Sequence, residues 1–188
     1  MSKFNFLIQN KGEISSKFLS LGISYFNKAC EFVQELPYRR NKNKNDLLTL
    51  FTDNCGTCST KHALLKRLAE ENSVKDVKLI LGIFAMNGEN TPAVKRTLEK
   101  HKLKYIPEAH NYLRCKNEIL DFTKVNWGAG NFEKDILQEV ALSPEQITEY
   151  KISFHKKHLQ AWLNQEHRIT YSLDEIWEIR EQCIKDLY

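Results

Sequence analysis

Glycine and proline are scarce, at seven and four in 188 residues. That scarcity excludes collagen-like and low-complexity character. Long apolar runs are missing as well. The longest stretch, from Leu79 to Met86, falls far short of the roughly 20 residues a spanning helix needs. Near the amino terminus, Asn5 and Gln9 interrupt the apolar residues before a signal-peptide core can form. Nor is there a strong excess of either charge. Lys and Arg number 28 against 24 Asp and Glu, a formal +4, which is too weak to point to nucleic acid. Cysteine is present, but its five copies make an odd set in a chain long for a disulfide-stapled scaffold, so reduced thiols are expected. Together these absences predict a cytoplasmic protein with no membrane segment and no nucleic-acid partner.

What is there suffices for one domain, or one domain with an appendage: 41% of residues are hydrophobic and 28% charged. Phe18, Gly22, Tyr25, Phe26, Ala29, Val33 and Leu36 recur at helical spacing, predicting one helix over about residues 16–36, ended by Pro37. The basic stretch 39–45 carries no pattern and reads as a solvated loop. Thr57 is placed to cap a second helix with Leu64, Leu65, Leu68 and Ala69 on its buried stripe. Residues 77–86 are apolar on both faces, as in a central strand. Thr91-Pro92 opens a short helix. Ser143-Pro144-Glu145-Gln146 and Ser172-Leu173-Asp174-Glu175 read as capping boxes, making the C-terminal quarter helical.

Two strands flank Lys116-Asn117. A two-residue loop sets Cys115 opposite Glu118, Leu113 opposite Leu120 and Asn111 opposite Phe122. His110 and Asp121 then share the other face as diagonal neighbours, about 7–8 Å apart at most. A loop of odd length would put them on opposite faces.

Chemistry concentrates in Asn54-Cys55-Gly56-Thr57-Cys58-Ser59-Thr60-Lys61-His62. Three readings compete. Leu48 to Phe51, then Cys55-Gly56-Thr57-Cys58 before a helix, resembles a thioredoxin-like thiol–disulfide site, but residues 46–54 make a poor buried strand and more than fifty residues precede the motif. Cys55 and Cys58 also have zinc-ligand spacing, and His155 and His158 could add nitrogens. There is no second Cys-x-x-Cys pair, however, and the two histidines read better as a solvated helical face. The third reading is nucleophilic catalysis. A thiol at a helix N-terminus meets unsatisfied N–H groups and the positive end of the dipole, which favour thiolate. Cys58 would be the nucleophile, His110 the proton carrier and Asp121 the group orienting the imidazole. His62, one turn beyond Cys58, is a decoy base with no evident orienter. Cys30, Cys115 and Cys183 read as packing residues, and Trp127, Trp162 and Trp177 as core or groove-wall aromatics.

Gly56-Thr57-Cys58 opening a helix, the strand 77–86, Glu108-Ala109-His110-Asn111-Tyr112 and Asp121-Phe122-Thr123 occur in an order that resembles the transglutaminase-like superfamily, a branch of papain-like folds. The lead-in Leu36-Pro37-Tyr38 fits the same pattern, and the similarity covers about residues 20–125. Two departures stand out: Ser59 follows the nucleophile where relatives often carry Trp, and Asn111-Tyr112 follows the histidine where Ala-Trp is common. The resemblance implies an α+β core with a nucleophile-bearing helix packed on a small antiparallel sheet. It assigns nucleophile, histidine and acid to Cys58, His110 and Asp121. The expected division is a catalytic core over residues 1–140 and a C-terminal helical extension over 141–188. The expected activity is acyl transfer on a peptide or other amide-bearing substrate, without cofactor or metal. The backbone N–H of Cys58 and, as second donor, Asn54 would hold the oxyanion. Some relatives on this fold are inactive, so a binding module is the further alternative.

Overall fold

The computed structural model describes residues 4–125 and 132–187. Trp127 lies outside the described residues. Among those described, the chain is α+β, with seven α-helices and a four-stranded antiparallel sheet. The elements run α1 (Glu13–Ser20), α2 (Phe26–Glu35), α3 (Thr49–Thr52), α4 (Cys58–Glu71), β1 (Val77–Met86), α5 (Lys95–Lys100), β2 (Ile106–Cys115), β3 (Glu118–Leu120), β4 (Ile136–Leu142), α6 (Glu149–Gln165) and α7 (Leu173–Lys185). The sheet order is β3-β2-β1-β4, so β1, apolar on both faces apart from the exposed Lys78 near its start, is central. No helix among the described residues is long and apolar enough to cross a membrane.

The single helix expected over 16–36 is two helices. Gly22, at φ 75°, lets the chain turn out of α1. Its N–H bonds to the Leu19 carbonyl and that of Ile23 to the Phe18 carbonyl, both at 3.0 Å. This is the paired closure of a glycine-terminated helix. Helical spacing therefore continues across a break that one left-handed residue creates. The N-terminus of α1 is capped from a distance. Glu71 of α4 accepts the Ile14 N–H at 3.0 Å and the Ser15 N–H at 2.6 Å. A Cβ on Gly12 would lie 2.2 Å from the Glu71 carboxyl carbon, so the contact depends on glycine.

The hairpin has the expected register: Leu113 faces Leu120, Arg114 faces Ile119 and Cys115 faces Glu118. Lys116 turns the chain at φ 54°. Strand β3 stops at Leu120, so Asp121 and Phe122 lie past its end. Both capping boxes form. The first opens a 3-10 turn, Pro144–Ile147, ahead of α6, and the second opens α7. Strand β4 was not legible in the sequence. As an edge strand with only Leu142 fully buried, it lacks a strong alternation, and position 140/141 falls inside it.

The described residues form two compact units. The first takes residues 4–81, 111–125 and 140–148; the second takes 82–110, 132–139 and 149–187. In the first unit α4 is the centre, buried along its whole first half from Cys58 to Leu65 and flanked by α1 and α2. Phe18, Phe32 and Phe51 interlock beside it, with ring centroids 5.2 to 6.0 Å apart. In the second unit α7 packs on α5 and α6. A charged cluster is buried there. Arg180 of α7 makes two hydrogen bonds to the carboxylate of Glu108 in β2, at 2.7 and 2.5 Å. His155 of α6 is 1% exposed, with Nε2 2.8 Å from the Pro107 carbonyl. The solvated face expected for His155 is thus corrected: the ring is core, and burial pulls its pKa down to about 4. Burial would raise the Glu108 carboxyl, but the Arg180 guanidinium beside it holds it below the usual range.

Candidate active site

Residues 37–39 and 55–57 run side by side. Tyr38 and Gly56 form a parallel bridge. The Gly56 N–H donates to the Pro37 carbonyl at 3.1 Å, and the Arg39 N–H to the Gly56 carbonyl at 3.2 Å. Glycine is required here by close approach. A Cβ would sit 3.0 Å from Leu50 Cδ1, Lys61 Cγ and Thr60 Oγ1 alike.

Asn41 braces the same loop. Its Nδ2 donates to the Cys55 carbonyl at 2.8 Å, and its Oδ1 accepts the Thr60 hydroxyl at 2.7 Å. Thr60 Oγ1 accepts the N–H of Thr57, the N-cap of α4, at 3.0 Å. The solvated loop expected over 39–45 is corrected at this residue, since Asn41 is buried. A primary amide supplies a donor and an acceptor where two buried polar groups need them.

Cys58 consequently stands at the first helical position of α4, 6% exposed. Its neighbour Ser59 donates to Asn111 Oδ1 at 3.0 Å, and Asn111 Nδ2 donates to the Ile80 carbonyl at 3.0 Å. One fully buried amide thereby ties the start of α4 to β2 and β1.

His62 bridges the start of α4 and the segment that follows β3. Its Nδ1 lies 2.8 Å from the Cys58 carbonyl oxygen, and its Nε2 accepts the Phe122 N–H at 2.8 Å. Those partners assign the neutral tautomer with the proton on Nδ1. Asp121 Oδ1 lies 3.5 Å from His62 Nε2 and accepts the Thr123 N–H at 2.9 Å. His62 therefore links the first turn of α4 to the segment bearing Asp121.

Cys58 and Asp121 thus belong to the first unit and are joined through His62, whereas His110 belongs to the second. There the His110 imidazole packs edge-on to two rings, with centroids 5.0 Å from Phe132 and 6.2 Å from Phe84. Asn54 is exposed at φ 50°, just past α3, a left-handed position that asparagine tolerates better than most residues.

Lys61 was overlooked in the sequence. It is fully buried, and its Nζ donates to the carbonyls of Leu36 at 2.6 Å and Thr123 at 2.7 Å, with that of Gln34 at 3.5 Å. Burial lowers its pKa to about 8, against the opposing pull of Asp121, Cys58 and Cys55. A signal did exist: Lys61 shares helical spacing with Leu64, Leu65 and Leu68, which places a cation on the apolar stripe.

The segment before Cys55 is the helical turn α3, not the strand that a thioredoxin-like site needs. All five cysteines are free. Among the described residues, no group of three or more His, Cys, Asp and Glu side chains could hold a metal ion. Comparison of the chain with protein-family models, curated proteins and solved structures finds no match.

Proposed function

We propose that the protein is a cysteine-nucleophile acyl transferase or amide hydrolase on a papain-like, transglutaminase-like core. The observation that carries this reading is the position of Cys58 as the first residue of the 14-residue helix α4, behind the Thr57 cap. A thiol there is biased toward thiolate by the unsatisfied N–H groups of the helix start.

In the proposed reaction the Cys58 thiolate attacks an amide carbonyl carbon, forming a C–S bond. The backbone N–H of Cys58 receives the oxyanion, with Asn54 as the candidate second donor. Collapse breaks the C–N bond, and the departing amine takes a proton from the general acid, the role the resemblance gives to His110 with Asp121 as its acid. Water or a second amine then attacks the thioester and releases Cys58. The substrate is a peptide or another amide-bearing molecule, and the free thiols suit the cytoplasmic setting expected for the chain.

Labelling with an amide-mimicking electrophile tests the reading. Cys58→Ala and His110→Ala each abolish labelling, and Cys55→Ala leaves it intact. Cys58 alkylating no faster than a free thiol at neutral pH, with labelling indifferent to His110→Ala, would instead make the chain a binding module.

A further inference from the structure

The buried ammonium of Lys61 has no part in the reaction just described. It lies one helical turn beyond Cys58, and its hydrogen bonds go to main-chain carbonyls on two segments. Leu36 and Gln34 belong to the end of α2 and the lead-in to the nucleophile loop. Thr123 belongs to the segment that carries Asp121. The last carbonyls of α2 have no helical partner and carry the negative end of its dipole, which favours a cation there. Carbonyl oxygens satisfy the donors of an ammonium without cancelling its net charge. The charged groups whose fields reach it are Asp121, Cys58 and Cys55 on the favourable side and Lys124 on the other.

We propose that Lys61 is a positioning residue whose buried positive charge favours the thiolate of Cys58 while its hydrogen bonds clamp the Asp121 segment to α4. The proposal rests on the reading of Cys58 as the nucleophile. A sequence with only the dipole of α4 behind its thiol would gain a modest bias toward thiolate. A fixed cation in a water-excluded site adds to that bias, because charge is poorly screened there. The aliphatic stem of Lys61 also packs against Gly56, so the same side chain shapes the loop before the nucleophile.

The test is the rate of Cys58 alkylation by iodoacetamide against pH, read at Cys58 by peptide mass spectrometry on the full chain. Lys61→Met removes the charge, and Lys61→Gln removes it while keeping amide donors. Both should raise the apparent pKa of Cys58 by about one unit. At pH 7 that makes alkylation about tenfold slower, with the high-pH plateau unchanged. An apparent pKa equal to that of the native chain, accompanied by a lower melting temperature, would leave Lys61 a packing residue and overturn the proposal.

A second measurement needs no variant. Linkage is reciprocal, so carbamidomethylation of Cys58 should lower the Lys61 pKa, followed by NMR of isotope-labelled lysine, by the same unit. No change in that titration overturns the proposal equally. Failure of the acyl-transfer reading is a different result, with labelling by the amide mimic indifferent to His110→Ala while the Lys61 effect on Cys58 persists.

Discussion

Lys61 and Arg180 are both cations taken out of water, one in each unit, and they are held in opposite ways. Arg180 faces a carboxylate. It makes two hydrogen bonds to Glu108, stacks 5.2 Å from the Trp177 ring, and its pKa is raised. Lys61 faces carbonyl oxygens, and its pKa falls to about 8. In the first arrangement the guanidinium is met by two carboxylates, Glu108 and, at 2.6 Å, Glu181. In the second the ammonium donates to neutral oxygens, and the Asp121 carboxylate and the two thiols favour its charge through their fields. Burial of charge thus serves architecture in one place and a candidate site in the other, and the partner's chemistry separates the two.

The sharpest way to break the comparison is to remove the carboxylate. Glu108→Gln leaves Arg180 with a neutral amide in place of its buried carboxylate and with Glu181 as its remaining countercharge, and should cost about 3 kcal/mol of unfolding free energy in a denaturant titration. A loss smaller than that of Lys61→Met would mean that the Glu108 carboxylate is not what holds Arg180 out of water.

Acid probes the same cluster through His155. Its pKa falls from the ordinary 6.5 to about 4 in the fold. Between those values the unfolded chain binds the proton and the folded chain does not. Stability from this group is complete above pH 6.5 and is lost as pH falls toward 4, by about 3 kcal/mol in all. Glu108, also depressed, loses its contribution in the same direction. Melting temperatures followed from pH 7 to pH 4 should fall steadily, and His155→Phe should flatten that slope.

Lys61→Met should be milder, at roughly 1–3 kcal/mol in the same titration, because two carbonyls lose a donor while an expensive buried charge is removed. Its larger effect should be on Cys58 reactivity. Asn41→Ala sharpens the distinction from the other side. It takes a donor and an acceptor from the loop without touching any charge, and it should cost about 1–2 kcal/mol. The apparent pKa of Cys58 should stay nearly constant in that variant, as iodoacetamide kinetics would show.

Several structural features were legible because their causes are local. The core of β1 follows from the apolar run Leu79 to Met86, and both capping boxes follow from side chains three residues apart. The hairpin register follows from the two-residue loop at Lys116-Asn117, since parity alone sets which residues face each other. The break between α1 and α2 was missed because helical spacing continues across Gly22, and a single left-handed residue outweighs it. Cys58 was found because helix caps have a sequence signature. Asn41, Lys61 and Glu108 were missed because their types are ordinarily solvated, and nothing nearby in the chain says otherwise.

The amino-acid sequence by itself determined the α+β class, the central strand, the hairpin pairing and the thiol at the start of α4, since each depends on residues within a few positions of one another. Only the tertiary structure decided which polar groups leave water. Lys61 meets Thr123 across 62 positions, and Glu108 meets Arg180 across 72. Such partners become visible once the chain is closed, because burying a charge is tolerable only where a distant segment brings the oxygen that satisfies it.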